Sequence, residues 1–270
     1  MANTPRTTGS KRVPMDAMRK IALAGGLLYL ITYLAIPTLA LYGPVLNDPN
    51  YIVSSASDTG VLWGAVLELI VAFAIVGTGV VLFPMVKRQN EDVALGFVAA
   101  RVFEAGMIVV GIISLLTVVT LRQDVGAAAG ADTASLVQTG RSLVAIHDWT
   151  FLIGQTLLPG INALLLGSLF YRSGLVPRII PLLGLIGGPL LISSAIGQVV
   201  GINEQYSAWS AIAVLPIFVW ELVLGLWLVF KGFNRSAPLM AATPAEAGNP
   251  DGWAAVLRPQ DAVATKAGAA

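Results

Sequence analysis

The chain has 270 residues, of which 56% are apolar and only 11% are charged, and its formal net charge is +1. An ordinary soluble domain carries about 25% charged residues, so this composition argues against a soluble protein and favours an integral membrane protein. No basic stripe with interleaved aromatic residues is present, which argues against nucleic-acid binding. Because the chain contains no cysteine, disulfides, thiolate metal sites and thiol nucleophiles are excluded.

The first part of the chain is a polar lead, residues 1–18, which is predicted to be disordered. A spanning helix is predicted from Ile21 to Leu41, directly after two basic residues. A cleaved signal peptide is the alternative, but the apolar region of a signal peptide is only about 7–15 residues long. We therefore interpret residues 21–41 as a retained membrane anchor.

Five further spans are predicted after a turn-rich loop over residues 42–59. In chain order they cover Val61–Val86, Val93–Leu121, Ser142–Tyr171, Ile179–Val200 and Ala208–Phe230. Between the third and fourth spans, residues 131–139 are predicted to form a short surface helix, opened by Asp132 or Thr133 as its cap. The fold class predicted is an all-α transmembrane bundle of six spans.

The domain organisation follows from these spans. Residues 19–231 are predicted to form one membrane domain, and residues 232–270, which are rich in Ala, Pro and Gly, are predicted to be a disordered cytoplasmic tail. With the N-terminus inside, 13 Lys and Arg residues fall on the inner side and only two, Arg122 and Arg141, on the outer side. This bias predicts that both ends of the chain are cytoplasmic.

Ionisable residues inside the predicted spans are the candidates for function. They are Glu68, Arg101, Glu104, His147, Asp148 and Glu221. A charge near the centre of a spanning helix costs about 2.5–3.5 kcal/mol, so such residues normally face the protein interior. Arg101 and Glu104 are spaced i, i+3 and share one helix face. The six residues are predicted to form an intramembrane polar network.

The charge of this network is unbalanced. Its four carboxylates and one obligate cation give −3 if every acid is ionised and His147 is neutral. Some carboxyl groups must therefore be protonated, or a cation must lie among them, or water must reach them. The alternative is a hydrogen-bonded network that only stabilises helix packing, as polar residues do in membrane bundles.

Two amides and a proline form a secondary feature in the fourth span. Gln155 and Asn162 flank Pro159–Gly160, and the proline frees a backbone carbonyl for another partner. Enzyme motifs fit the chain poorly. A single His cannot supply a three-His zinc site or bis-His haem ligation, and no glycine-rich nucleotide loop or G-x-S-x-G elbow is present. No metal site or cofactor is predicted.

Several segments carry a resemblance to a known family. They read LWGAVLELIVA around Glu68, GFVAARVFEA around Arg101 and Glu104, HDWTFLIG around Asp148, YRSGLVPRIIPLLGLIGG, and LPIFVWELVLGLWLVFKGF around Glu221. Over about residues 18–235 the chain resembles bacterial and archaeal membrane proteins of the domain of unknown function 4386 family. The resemblance implies acidic and arginine residues at those positions but no established activity. Where the family pattern has Arg-Asp-Trp, this chain has His147-Asp148-Trp149.

The sequence predicts a multi-pass protein of a prokaryotic inner or plasma membrane, with the lipid bilayer as its surroundings. The first hypothesis for its function is a carboxylate and arginine site that binds or relays a proton, a cation or a cationic small molecule. The second is an accessory or sensor protein with a purely structural network. The third is a membrane-embedded enzyme that uses the carboxylates as acid and base, although no nucleophile is identified.

Overall fold

The computed structural model describes residues 16–126, 132–205 and 207–241, and in these ranges helices joined by short turns and loops are the regular secondary structure, with no strand. Six helices in this part of the chain are long and apolar enough to cross a membrane. We number them α1 to α6: Ala17–Leu41, Thr59–Val86, Glu91–Asp124, Thr133–Ser173, Ile179–Val199 and Ala208–Phe230. The predicted all-α bundle of six spans is confirmed.

The helices form a closed ring in chain order. Each helix packs against the next one along the chain, and α6 packs back against α1. The main hydrophobic core lies between them at the predicted inner end, where it includes Leu82, Phe97, Phe170, Trp220 and Leu228. Because the ring is closed, side chains from α1, α3, α4 and α6 can meet in its interior.

The observed helix ends agree closely with the predicted ones except for α4. The residues predicted as a separate surface helix are the first turns of α4, which begins at Thr133. Asp132 caps this helix as predicted, because its carboxylate accepts a hydrogen bond from the backbone N–H of Ala134 at 3.2 Å. Helix α4 therefore projects beyond the predicted start of the fourth span at its outer end.

Helix α1 packs against α2 along its whole length, but against α6 mainly in its first part. Its first part, Ala17–Ile31, packs against α6, where a Cβ on Gly26 would lie 2.7 Å from the carbonyl oxygen of Gly225. After a tighter 3₁₀ turn over Thr32–Leu34, the second part, Ala35–Leu41, packs against α2. The second part of α1 is thereby separated from α6, and a cleft lies between them.

The tail does not begin directly after α6, which corrects the predicted boundary at residue 232. Phe233, Ala237 and Leu239 are buried in the main core, and Pro238–Ala241 is a short helix. The prediction of disorder is therefore wrong for residues 232–241. Residues 242–270, like the lead over residues 1–15, lie outside the described residues.

Candidate functional site

Arg101, Glu104 and Glu221 form one cluster, which we call the central triad. Arg101 Nη1 lies 3.0 Å from Glu104 Oε2 within α3, and Arg101 Nη2 lies 3.3 Å from Glu221 Oε1 on α6. Arg101 is 1% exposed and Glu104 is 4% exposed. At 1.5 Å per residue, Glu221 lies about 20 Å along α6 from Ala208. The triad therefore lies deep inside the bundle and joins two helices that are not neighbours in the ring.

Neutral side chains complete the surroundings of the triad. Tyr29 accepts a hydrogen bond from Arg101 Nη2 at 2.7 Å, and the guanidinium carbon lies 5.1 Å from the centre of the Tyr29 ring. Asn162 on α4 donates a hydrogen bond from Nδ2 to Glu104 Oε2 at 2.5 Å. Helices α1, α3, α4 and α6 thus each contribute one or more side chains to this cluster.

Some buried polar atoms around the triad have no partner among the described residues. They are Arg101 Nε, Asn162 Oδ1 and Trp220 Nε1. Buried polar atoms usually have a hydrogen-bond partner in the protein, in ordered water or in a ligand. The triad therefore retains hydrogen-bonding capacity beyond its own contacts.

Glu68 and His147 form a second cluster nearer the predicted outer end, which we call the outer pair. Both are buried, at 2% and 4% exposed, and both line one cavity of about 190 Å³. Tyr42 connects them: its hydroxyl donates to Glu68 Oε2 at 3.1 Å, and its ring lies edge-on to the His147 ring, with centres 5.8 Å apart. The outer pair is thus built on α2, α4 and the residue that follows α1.

Gln155 links the outer pair to the central triad. Its side-chain amide donates to Glu68 Oε1 at 3.2 Å, and the same residue lines a second cavity of about 210 Å³ whose wall includes Glu221. It lies in a π-helical segment, Leu152–Leu157, just before Pro159. Proline lacks the N–H that would bond to the Gln155 carbonyl in an α-helix, and such π segments are frequent at functional sites.

The predicted network is therefore two clusters rather than one, and Asp148 belongs to neither interior. Its side chain is 56% exposed, and its Oδ1 lies 3.4 Å from His147 Nδ1. Asp148 nevertheless lines the cavity of the outer pair together with Glu68 and His147, so it remains a candidate residue there. Its exposure follows from helix geometry: His147 and Thr150 face the interior of the bundle, which turns Asp148, like Trp149, toward the surface.

Sequence reasoning missed the two tyrosines that hold the clusters together. Tyr29 is fully buried within α1 and Tyr42 follows its last residue. A phenol inside an apolar span normally has a hydrogen-bond partner. The pattern YLITYL, residues 29–34, could have identified Tyr29 as a candidate, whereas the contact of Tyr42 with Glu68 depends on how α1 packs on α2. Within the described residues, no group of three or more His, Asp or Glu side chains is arranged to hold a metal ion.

Comparison with known proteins identifies one family. Neither a curated protein nor a solved structure matches the chain. One family model, domain of unknown function (DUF4386), matches residues 23–232. These residues include five of the six spanning helices in full, most of α1, both clusters and Gln155. The protein is a multi-pass membrane protein that belongs to the DUF4386 family.

Proposed function

We propose that this protein binds and relays a proton through its intramembrane carboxyl groups, in exchange with a cation or a cationic small molecule, in a prokaryotic plasma membrane. Glu68 is the outer station and Glu221, in the central triad, is the inner one. Gln155 and the cavities beside it connect the two. The predicted orientation, with both chain ends in the cytoplasm, places Glu68 toward the outside.

The observation that carries this proposal is the set of contacts made by Glu68. The carboxyl group is buried, and its hydrogen-bond partners are neutral, namely Tyr42 and Gln155. In the described part of the chain, no side-chain nitrogen of Arg, Lys or His lies within 4.0 Å of its carboxylate oxygens. A buried carboxylate without a cationic partner is strongly disfavoured in a membrane. Glu68 therefore suits a proton or a mobile cation.

The central triad supports the same reading through its charge. It contains two carboxyl groups and one guanidinium, so it carries −1 when both acids are ionised. A proton or a bound cation on Glu221, the more exposed of the two acids, makes it neutral. Glu104 is held by Arg101 and Asn162 together and is the acid that stays paired.

A hydrophobic carbodiimide tests the proposal, because it enters the bilayer and modifies carboxyl groups in their protonated form. We expect the reagent to modify Glu68 and Glu221 in membranes at neutral pH, as mapped by mass spectrometry. The extent of this modification should decrease as the pH is raised. Glu91, exposed at the first turn of α3, is the matched control and should stay unmodified. Absence of modification at both Glu68 and Glu221 would contradict the proposal.

A purely structural network is the second candidate, and Arg101 favours it. This side chain has four polar contacts and two aromatic neighbours, as a well-packed structural residue does. The two candidates differ at Glu68, whose carboxylate forms no ion pair among the described residues. If the network were only structural, Glu68→Gln would lower stability as much as Glu104→Gln does. If Glu68 holds a proton, the neutral amide replaces it at little cost.

A further inference from the structure

The cleft between the second part of α1 and α6 consists of two adjoining cavities. Its inner cavity, about 210 Å³, is lined by Glu221, Gln155 and the rings of Tyr33 and Phe218. An adjoining cavity of about 330 Å³ extends toward the predicted outer end. Leu191 and Val214 line both cavities, which together form one cleft, apolar along its length and acidic at its inner end.

The inner end of the cleft has the features that recognise an ammonium group. Glu221 is partly exposed there: Oε1 accepts from Arg101, whereas Oε2 accepts no hydrogen bond from the described residues. The Tyr33 and Phe218 rings meet edge to face, with centres 5.1 Å apart, and both line the same cavity. A carboxylate beside aromatic faces attracts an organic cation by ion pairing and cation–π contact.

The walls of the cleft favour a ligand with an apolar body over a compact inorganic cation. The larger cavity is lined by apolar residues such as Leu39, Phe151 and Val214 and also by several Ser, Thr and Gln side chains, but apolar atoms make up most of its surface. A mainly apolar pocket with a few polar groups is typical of sites for small organic ligands. A compact inorganic ion would leave most of this cavity without contacts.

The fold explains why the cleft exists at that place. Tyr33 donates a hydrogen bond from its hydroxyl to the carbonyl oxygen of Phe218 at 2.6 Å, which holds α1 to α6 at the level of the cleft floor. Beyond this contact α1 no longer packs closely on α6 but keeps its packing on α2, where a Cβ on Gly64 would lie 2.4 Å from the Tyr42 ring. The separation of α1 from α6 is therefore set by packing on both sides.

We propose that the cleft binds an amphipathic primary amine, with its ammonium group between Glu221 and the rings of Tyr33 and Phe218 and its apolar body along Leu191 and Val214. This inference rests on the proposed function and names the cargo class of the same site. The amine exchanges for the proton on Glu221: the carboxyl group gives up its proton to water as the ammonium ion takes its place, so charge is conserved.

The test is equilibrium binding of 4-phenylbutylamine to the full chain in phosphatidylcholine nanodiscs, with empty nanodiscs as the background. The neutral analogue 4-phenylbutanol is the matched ligand. We expect the amine to bind at least about tenfold more tightly than the alcohol, the difference that one ion pair with cation–π contact supplies. Equal binding of both would mean an apolar or lipid-like occupant and would overturn the proposal.

Matched variants locate the site. Val214→Trp, which fills the cleft, should weaken the amine about tenfold or more, whereas Leu215→Trp on the neighbouring lipid-facing position should not. Glu221→Gln should weaken the amine and leave the alcohol unchanged. Because that change also touches Arg101, Phe218→Leu provides a second variant that spares the triad and should weaken the amine alone. Unchanged amine binding in Val214→Trp or in Phe218→Leu would overturn the inference.

Two further comparisons distinguish a lipid amine from a free amine, and failure of the cargo assignment from failure of the proposed function. Adding phosphatidylethanolamine to the nanodiscs distinguishes a lipid amine, which displaces the probe, from a free amine, which leaves probe binding unchanged. If Glu68 and Glu221 react with carbodiimide but 4-phenylbutylamine does not bind, the cargo assignment fails and the proton function stands. If neither carboxyl group reacts, the proposed function itself fails.

Discussion

Arg101 is the residue on which the central triad depends, because its guanidinium contacts both carboxyl groups and is almost fully buried. Arg101→Ala leaves those groups without a cation, and breaking a buried pair typically costs about 3–5 kcal/mol. Combining it with Glu104→Gln should recover part of the loss, since one of the unpaired acids is then neutral. Unfolding of the reconstituted protein by denaturant measures both effects as a double-mutant cycle.

The control for this cycle is an exposed ion pair in the same molecule. Arg235 lies 3.1 Å from Asp16, with both side chains about half exposed or more. Arg235→Ala should change the free energy of unfolding by no more than about 1 kcal/mol. Strictly additive losses for Arg101→Ala and Glu104→Gln would mean that the two side chains do not share one environment.

At the residue scale, most residues of the candidate site could be selected from the sequence because charges are rare inside apolar spans. The structure places five of them, Glu68, Arg101, Glu104, His147 and Glu221, in the interior of the bundle. Their division into two clusters could not be predicted. It depends on which helices are neighbours in the ring, and spacing along a single helix carries no information about that.

At the element scale, the segment between α1 and α2 is held by a clasp formed by Arg122, Asp58 and Tyr51. Arg122 donates to the carboxylate of Asp58 and to backbone carbonyls of the segment, and its guanidinium carbon lies 4.8 Å from the centre of the Tyr51 ring. The Tyr51 hydroxyl donates to Asp58 Oδ1 at 3.1 Å. The clasp therefore holds α3 to the segment that lines the cavity of the outer pair.

The clasp should weaken at high pH. Burial, followed by the hydrogen bond to Asp58, raises the pKa of Tyr51 to about 12, from an ordinary value of about 10. The neutral phenol is therefore favoured by folding, so its contribution is present below about pH 10 and is lost as the pH rises through about 12. The phenolate absorbance can be measured as a function of pH in wild type and in Tyr51→Phe. The difference between the two curves should correspond to one tyrosine that titrates near pH 12. A difference that titrates at or below pH 10 would contradict the clasp.

Residues 232–241 form a second element whose role is testable. Leu239 is buried against the main core, so Leu239→Ala should lower the free energy of unfolding by about 2–5 kcal/mol. The same substitution at the exposed Leu215 is the control and should have a much smaller effect. Thermal unfolding in one detergent compares the two. Equal effects would mean that the segment does not stabilise the bundle.

Helix ends were predictable from the sequence where polar residues flank an apolar run, and α6 was predicted to the residue. Two features were not predictable. The beginning of α4 is amphipathic rather than apolar, so hydropathy alone separated it from the span. The packing of Phe233 and Leu239 on the core is a tertiary effect, because too few apolar residues lie in that segment to predict an element.

For the whole molecule, the orientation in the membrane is a prediction from the distribution of Lys and Arg. The chain contains no cysteine, so single cysteines report their side without background. In intact cells, a membrane-impermeant maleimide should label Asn50→Cys, in the segment between α1 and α2, and leave Gln89→Cys, between α2 and α3, unlabelled until the cells are opened. The reverse pattern would invert the bundle and place Glu68 toward the cytoplasm.

The central claim is that the buried carboxyl groups outnumber their cationic partners and therefore hold a proton. Infrared spectroscopy of the bilayer-embedded protein, with ¹³C-labelled glutamate, measures this directly through the C=O stretch of a protonated carboxyl group. We expect this band at neutral pH in wild type and in the exposed control Glu91→Gln, and a clear decrease of the band in Glu68→Gln. A wild-type spectrum at neutral pH that contains only ionised glutamate would contradict the claim that a carboxyl group holds a proton.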